Sequence, residues 1–272
     1  MNFEYTETHH LIRETARKFA EEKLAPTSIE RDEKEEFPYE AIKELGELGF
    51  MGMMVPEEWG GAGLGTVSYV IAMEEISRVD ASAGVIMSVN NSLVCYGVNQ
   101  YGTDDQKNRY LRDLASGKKL GAFALSEPEA GSDASNQRTT ADKDGDYYVL
   151  NGTKNWITNG STADVVLVMT ATDRSKGPKG ISTFIVEKGT PGFAVAKKEK
   201  KLGIRSSDTV SLSFTDCRVP AANRIGVEGD GFKFAMKTLE GGRIGIAAQA
   251  LGIAQGCLDA SVRYAKERKA FD

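Results

Sequence analysis

The spacing of apolar residues changes twice along this chain of 272 residues. Apolar positions recur at helical spacing as far as about residue 116. Short apolar runs separated by Gly and Pro follow between residues 120 and 214, and a long, proline-free, alanine-rich run begins at Gly231. This order predicts an N-terminal α-helical domain (1–119), a central β-barrel or sandwich domain (120–229) and the start of a C-terminal helical bundle (230–272). The fold class is therefore multidomain α+β.

Local signals place the individual elements. A first helix is predicted after Thr6 and a second between Pro38 and Gly49, and further helices cover about 67–78, 83–100 and 103–116. The predicted strands cover 120–127, 147–157, 165–170, 181–186 and 210–214. Thr103 and Gln106 have the spacing of a capping box, which is typical of a helix start. Asn151-Gly152 is typical of a two-residue β-turn, so residues 147–157 are predicted to form a strand–turn–strand.

Composition and charge argue against several classes of protein. The net charge is −5 with both signs mixed along the chain, so we expect no nucleic-acid partner. Cys95, Cys217 and Cys257 are too far apart for a zinc motif, and the adjacent His9 and His10 would face different directions on a helix, so no metal site is predicted. No apolar run approaches the length of a membrane span and no signal peptide is evident, which predicts a cytoplasmic protein without a membrane partner.

The chain lacks G-x-G-x-x-G after a strand, and its chemistry is expected in three polar segments that contain glycine. The first is LSEPEAGSD, residues 125–133, where a predicted strand ends in a turn. Backbone amides and hydroxyls in such a loop can bind an anion or the edge of a heteroaromatic ring. The alternative is a plain connection between a strand and a loop.

The second segment is WITNG, residues 156–160. Residues two apart on a strand share a face, so Trp156 and Thr158 are expected to lie side by side. A flat ring beside a hydroxyl suits stacking on a planar cofactor. The alternative is a core tryptophan followed by an Asn-Gly turn.

The third segment is EGGR, residues 240–243, inside the last predicted helix. A glycine inside a helix costs roughly 0.5–1 kcal/mol relative to alanine. Close approach of a ligand or of another helix would explain Gly241 and Gly242. The alternative is tight helix packing, with Arg243 in a salt bridge.

Several blocks of the chain, taken in order and at their spacing, resemble the acyl-CoA dehydrogenase family. The blocks are EEWGGAGLG, LSEPEAGSD, NGTKNWITNG, KLGIRSSDT, FTDCRVPAANRIG, EGGRIGIAAQALGIAQ and YAKERKAF. They cover essentially the whole chain, and they most resemble the bacterial short-chain (butyryl-CoA) members. The resemblance implies FAD-dependent oxidation of a short-chain acyl-CoA to a trans-2-enoyl-CoA, with electrons passing to electron-transferring flavoprotein. It also implies a homodimer or homotetramer.

The resemblance also implies roles for individual residues. The residues expected to bind FAD are Phe123, Ala124, Leu125, Ser126, Ser132, Trp156, Ile157, Thr158 and Arg268. The residues expected to bind the acyl-CoA are Ser132, Glu240, Gly241, Gly242 and Arg243. Ser126 would hydrogen-bond the pyrimidine side of the flavin, Trp156 would lie against its ring, and Thr158 would approach flavin N5. Arg268 would reach the FAD of a neighbouring subunit.

No residue of the chain is identified as the catalytic base. In the short-chain members the base is a glutamate, and the resemblance places it beyond Asp272. A minority of the family carries the base immediately before the arginine of the EGGR segment, where this chain has Gly242. Glu240 lies about 200° around the helix from that position and cannot simply replace it. The alternatives are an acyl-CoA oxidase and a fragment that binds FAD or acyl-CoA without catalysis.

Overall fold

The computed structural model describes residues 4–271, so residues 1–3 and Asp272, the predicted ends of the first and last domains, lie outside it. The helices are α1 (Glu7–Phe19), α2 (Ser28–Lys34), α3 (Tyr39–Glu47), α4 (Thr66–Val79), α5 (Ala81–Ser88), α6 (Tyr96–Tyr101), α7 (Asp104–Gln106), α8 (Arg112–Ala115) and α9 (Gly231–Glu267). The π-helical segments Ala20–Leu24, Val89–Cys95 and Lys107–Leu111 extend α1, join α5 to α6 and join α7 to α8. Helices therefore precede and follow a central β-region, as predicted.

The strands form one eight-stranded sheet. They are β1 (Gly121–Ala124), β2 (Thr140–Asp144), β3 (Tyr147–Thr158), β4 (Val165–Ala171), β5 (Ile181–Glu187), β6 (Phe193–Lys198), β7 (Thr209–Pro220) and β8 (Arg224–Ile225). The order is β6-β7-β3-β2-β4-β5-β8, and β1 pairs in parallel with β4. The multidomain α+β class is confirmed, whereas the exact boundaries at 119/120 and 229/230 stay a prediction.

The central strands of the sheet separate two apolar cores. Val166 of β4 packs with Phe184 and other residues inside the sheet domain. Its neighbour Leu167 packs on the opposite face in a cluster that includes Phe234 of α9. Because alternate residues face different cores, β4 is buried along its whole length. The sheet and the helices consequently share a packed boundary.

The capping box is confirmed, but the hairpin at Asn151-Gly152 is wrong. Gln106 and Thr103 exchange hydrogen bonds of 3.1 and 3.2 Å at the start of α7. Gly152 lies inside β3, at a shift in register against β7, with φ of 147°. The added Cβ of any other residue there would lie 2.5 Å from Thr139 Oγ1, so the glycine permits an irregularity within the strand. The hairpin turn is Gly145-Asp146, between β2 and β3.

One helical segment corrects the expectation that no apolar run reaches the length of a membrane span. Residues 81–101 form 21 helical residues that are apolar enough to cross a membrane by length and composition. Of the most apolar window in this segment, 78% is buried inside the protein, because the sheet and the other helices pack around it. This burial is typical of the core helix of a folded domain.

Candidate cofactor site

The alternation of β3 breaks immediately after Lys154, and the break turns Trp156 outward. Lys154 pairs with Leu212 of β7 and Ile157 pairs with Val210, so two residues are accommodated opposite one. Trp156 has φ of 61° and is 62% exposed, whereas Ile157 is buried in the core. A bulky residue in the left-handed region costs on the order of 1–3 kcal/mol, and such strain concentrates at functional sites. The alternative of a core tryptophan is therefore wrong.

The turn that follows Thr158 is held by a buried carboxylate. Asp208 accepts hydrogen bonds from the Ser161 amide at 2.7 Å, from the Ser161 hydroxyl, and from the Thr162 hydroxyl at 3.1 Å. Asn159 has φ of 63° and is fully buried, and its side chain donates to the Gly121 carbonyl at 3.1 Å. The predicted Asn-Gly turn is present, but the role of Asp208 was missed. Asp208 lies in the KLGIRSSDT block, which is one of the blocks that resemble the family. The resemblance therefore marked this segment, but it did not indicate what Asp208 contacts.

The LSEPEAGSD loop lies against the same end of β3. The Asn155 amide donates to the Ser126 carbonyl at 2.8 Å. The fully buried ammonium of Lys154 lies 2.7 Å from Glu127 Oε1 and also donates to the Leu125 carbonyl at 3.1 Å. Burial lowers the pKa of Lys154 to about 8, although Glu127 opposes the shift. The loop and the strand are thus joined beside the exposed indole of Trp156.

Six of the residues predicted to bind the cofactor lie next to Trp156 in the chain or in the adjoining loop and strand, and they differ in burial. The side chains of Phe123, Ala124, Leu125 and Ile157 are buried in the two cores, so these residues can reach a cofactor only through their main chains or ring edges. Ser126 and Thr158 are half-buried, and within residues 4–271 neither hydroxyl makes a hydrogen bond. A cofactor with a flat apolar face and a polar edge fits this set, since the free hydroxyls lie on the two segments that meet beside an outward-facing indole.

Among residues 4–271, no hydrogen bond or salt bridge joins the predicted substrate residues to Ser126, Trp156 or Thr158. Ser132 lies in the exposed part of the loop. Gly242 faces Leu93, whose Cδ2 lies 2.8 Å from where a Cβ would be, which favours helix packing at that position. Within the described part of the chain Arg243 forms no salt bridge, and Glu240 pairs with Lys237 at 3.3 Å. Arg268, which was predicted to bind FAD rather than the substrate, follows the end of α9 and is exposed there. These assignments remain predictions.

Metal binding receives no support from the described residues. Among residues 4–271, no three His, Cys, Asp or Glu side chains cluster in a way that could hold an ion. His9 instead caps α1, since its Nδ1 accepts from the Thr6 amide at 3.2 Å.

The sequence and the fold are those of a known family. Models of the acyl-CoA dehydrogenase N-terminal, middle and C-terminal domains match residues 6–118, 122–217 and 229–272. A short-chain-specific acyl-CoA dehydrogenase of Clostridium acetobutylicum is 51% identical over 271 residues, which are 100% of this chain and 72% of the relative. The chain belongs to the acyl-CoA dehydrogenase family, whose characterised members are FAD-dependent enzymes.

Solved structures agree with this membership. The butyryl-CoA dehydrogenase of Megasphaera elsdenii superposes with a TM-score of 0.97 at 48% identity, covering 100% of this chain and 72% of that one. A chain in a structure described as the electron-transferring flavoprotein of Acidaminococcus fermentans superposes with a TM-score of 0.98 at 51% identity. The match covers 100% of this chain and 71% of that one. The chain therefore spans about seven tenths of the length of these relatives.

Proposed function

We propose that this chain provides the FAD-binding part of a short-chain acyl-CoA dehydrogenase, which converts an acyl-CoA to a trans-2-enoyl-CoA. The observation that carries the proposal is the strained, outward-facing Trp156 beside the free hydroxyls of Ser126 and Thr158. The identity to short-chain-specific and butyryl-CoA dehydrogenases supports the short-chain substrate class.

The chain's own residues would bind and orient the cofactor. When bound, FAD supplies the acceptor for the hydride that leaves the β-carbon as the α-proton is removed. The indole of Trp156 would cover one face of the ring and exclude water from it. The hydroxyls of Ser126 and Thr158 would hydrogen-bond its polar edge, and both are held by main-chain structure that is already formed. Ser132 and the segment 240–243 would bind the acyl-CoA, and Arg268 would contact the FAD of a second subunit.

The catalytic base is proposed to lie outside these 272 residues. Gly242 has no side chain at the alternative position, and Glu240 is exposed and paired with Lys237. A positioned general base typically contributes about 10²–10⁴-fold to the rate. Binding of FAD and of acyl-CoA, rather than turnover, is therefore the appropriate first test of the chain.

The remaining parts of the proposal concern partners and location. The likeness to a chain described with an electron-transferring flavoprotein supports that protein as the electron acceptor. The proposal also includes a homodimer or homotetramer and a cytoplasmic location. Gel filtration with light scattering measures the oligomeric state.

The two tryptophans allow a direct test of where FAD binds. Trp59→Phe leaves Trp156 as the only indole, and Trp156→Phe leaves Trp59. We expect FAD to quench the fluorescence of the first variant strongly and that of the second weakly. Crotonyl-CoA, the enoyl product of a butyryl substrate, should then shift the visible absorption of the bound flavin. An absence of FAD binding, or equal quenching in both variants, would overturn the proposal. Rapid oxygen oxidation of the photoreduced, crotonyl-CoA-bound flavin would favour the oxidase instead.

A further inference from the structure

The ammonium of Lys154 is the most deeply buried charge near the candidate cofactor site. Its exposure is 0%, and that of the Glu127 side chain is 1%. Lys154 donates to Glu127 Oε1 at 2.7 Å, to the Leu125 carbonyl at 3.1 Å, and to Gln137 Oε1. An ammonium has three protons, so all of its donors have a partner.

The carboxylate of Glu127 is equally well satisfied. Besides Lys154, it accepts from the main-chain amides of Arg138 and Thr139, at 2.5 and 3.1 Å. The pair therefore connects three separate segments: the strand β3, the start of the LSEPEAGSD loop, and the chain that returns from this loop into β2. Each of these connections ends on a main-chain atom or on a buried side chain.

A buried ion pair is a poor way to stabilise a fold. Desolvation of two charges offsets their attraction, and apolar replacements of buried pairs are often neutral or stabilising. Fold stability alone therefore does not explain this pair. Its position does offer an explanation, because Leu125 and Glu127 flank Ser126, while Lys154 lies two residues before Trp156.

We infer that Lys154 is a positioning residue of the flavin site, which acts with Glu127 to hold the Ser126 loop in register with the strand end that carries Trp156 and Thr158. The inference rests on the proposed function for the identity of the ligand. The Asn155–Ser126 main-chain hydrogen bond of 2.8 Å is the direct structural consequence of this register. Neither Lys154 nor Glu127 needs to touch the cofactor.

The test compares three variants with one control of similar burial. Lys154→Met removes the ion pair that connects β3 to the LSEPEAGSD loop and leaves Glu127 unpaired. Glu127→Gln weakens this connection but leaves an acceptor oxygen. Lys154→Met/Glu127→Gln removes both charges together. Glu75→Gln is the control, because Glu75 is 3% exposed and pairs with Arg17 at 2.7 Å within the helical domain. For each protein, folding is checked by circular dichroism, FAD affinity by fluorescence titration, and unfolding by urea.

We expect Lys154→Met to raise the FAD dissociation constant at least tenfold, and the double variant to regain resistance to urea without regaining FAD affinity. Glu75→Gln should lower the urea midpoint and change the FAD affinity less than twofold. A purely structural pair would behave differently: the double variant would recover affinity together with stability. That result, or unchanged affinity in a folded Lys154→Met protein, overturns the inference. If Lys154→Met does not fold, Glu127→Gln is judged by the same affinity criterion, with a rise of at least threefold expected.

Hydrogen exchange of the protein without FAD separates this inference from the proposed function. The peptide containing the Asn155 amide should exchange faster in the double variant than in the unmutated chain, and equally slowly in Glu75→Gln. If the unmutated chain binds no FAD, the proposed function fails while the exchange result still reports on the link. If the chain binds FAD and exchange at Asn155 is unchanged in every variant, the positioning role fails.

Discussion

Asp208 accepts hydrogen bonds from both the main-chain amide and the hydroxyl of Ser161, and thereby closes the turn that follows β3. The carboxylate is buried and comes from the segment just before β7, 47 residues away in sequence. The turn carries Thr158 at its start, so the position of that hydroxyl depends on a contact between distant parts of the chain.

Replacement of Asp208 by alanine should destabilise the protein and weaken FAD binding. Removing the charged acceptor of the half-buried donors of Ser161 and Thr162 costs roughly 1–3 kcal/mol. Urea unfolding and FAD titration measure the two effects. Asp173→Ala is the matched control, since Asp173 accepts the same kind of amide and hydroxyl pair from Ser175 in an exposed loop. Equal losses of stability and of FAD affinity in both variants would contradict the role of Asp208 in holding the turn after β3.

Trp156→Gly should separate stability from function. Glycine adopts a φ of 61° without steric cost, and the 62%-exposed indole contributes little burial. The variant without FAD should be as stable as the unmutated chain or more stable, by up to about 1 kcal/mol. Its FAD affinity should fall at least tenfold. A clear loss of stability would show that the indole packs in the fold rather than serving a ligand.

The glycines of α9 should divide into those that pack and those that do not. A Cβ at residue 252 would lie 2.3 Å from the main-chain oxygen of Glu74, so Gly252→Ala should destabilise by about 1–3 kcal/mol. At Gly241 the nearest atom is 3.7 Å away, so Gly241→Ala should stabilise the helix by about 0.5–1 kcal/mol. Thermal or urea unfolding measures the change in the free energy of unfolding for each variant, and we expect the two changes to have opposite signs. The same sign in both would contradict the packing of α9 on α4.

A carboxylate placed at residue 242 should increase turnover, which we expect to be low in the unmutated chain. This position precedes Arg243, where a minority of the family carries its base. Leu93 must move to admit a side chain, because its Cδ2 would lie 2.8 Å from the new Cβ. With FAD, butyryl-CoA and an artificial electron acceptor, Gly242→Glu should be faster by up to about 10²-fold. Gly241→Glu, which adds the same charge one residue away, should show no gain; an equal gain would contradict the assignment.

Titration of Lys154 should affect stability and cofactor binding in opposite directions. Its pKa is lowered from 10.5 to about 8 in the folded protein, chiefly by burial, and Glu127 is the charged group that acts on it. Between pH 8 and 10.5 the Lys154 side chain therefore holds a proton in the unfolded chain that it has released in the folded chain, so the contribution of Lys154 to the free energy of unfolding should rise with pH. The buried thiols of Cys95 and Cys217 act in the opposite direction, because burial raises their pKa values.

Loss of the Lys154 proton should also weaken the ion pair with Glu127 that holds the LSEPEAGSD loop against β3. FAD affinity should therefore fall between pH 7 and 9. Urea unfolding and FAD titration of the unmutated chain and of Lys154→Met across the same buffers isolate both contributions, because the other titrating groups are common to the two proteins. The differences in stability and in FAD affinity between the two proteins should therefore change with pH; constant differences would assign the trends to other groups.

Much of the architecture could be predicted from local patterns. Helical spacing, the capping box at Thr103 and the apolar runs of β3, β4, β5 and β7 are encoded within short segments, because each reflects the geometry of one element. The more polar strand β2 was missed, since a strand with a largely exposed surface lacks the apolar run. The ordered motifs were sufficient to indicate the family, which the domain matches confirm.

Pairing between distant segments decided the remaining features. Asn151-Gly152 has turn chemistry, yet it lies within β3 because β7 pairs along both sides of it, and the close approach of Thr139 requires a glycine. The outward direction of Trp156 follows from a register shift against β7 that no local pattern contains.

The Lys154–Glu127 pair joins residues 27 positions apart, and a lysine in a strand ordinarily faces solvent. Local periodicity and ordered motifs were enough to predict most helices, the apolar strands and the family, because they can be recognised from residues that are close together in the chain. The folded chain was needed to show which side chains are buried together, which are left free for a ligand and which hold the site in place, because burial and hydrogen bonding are set by the partners that folding brings within contact distance.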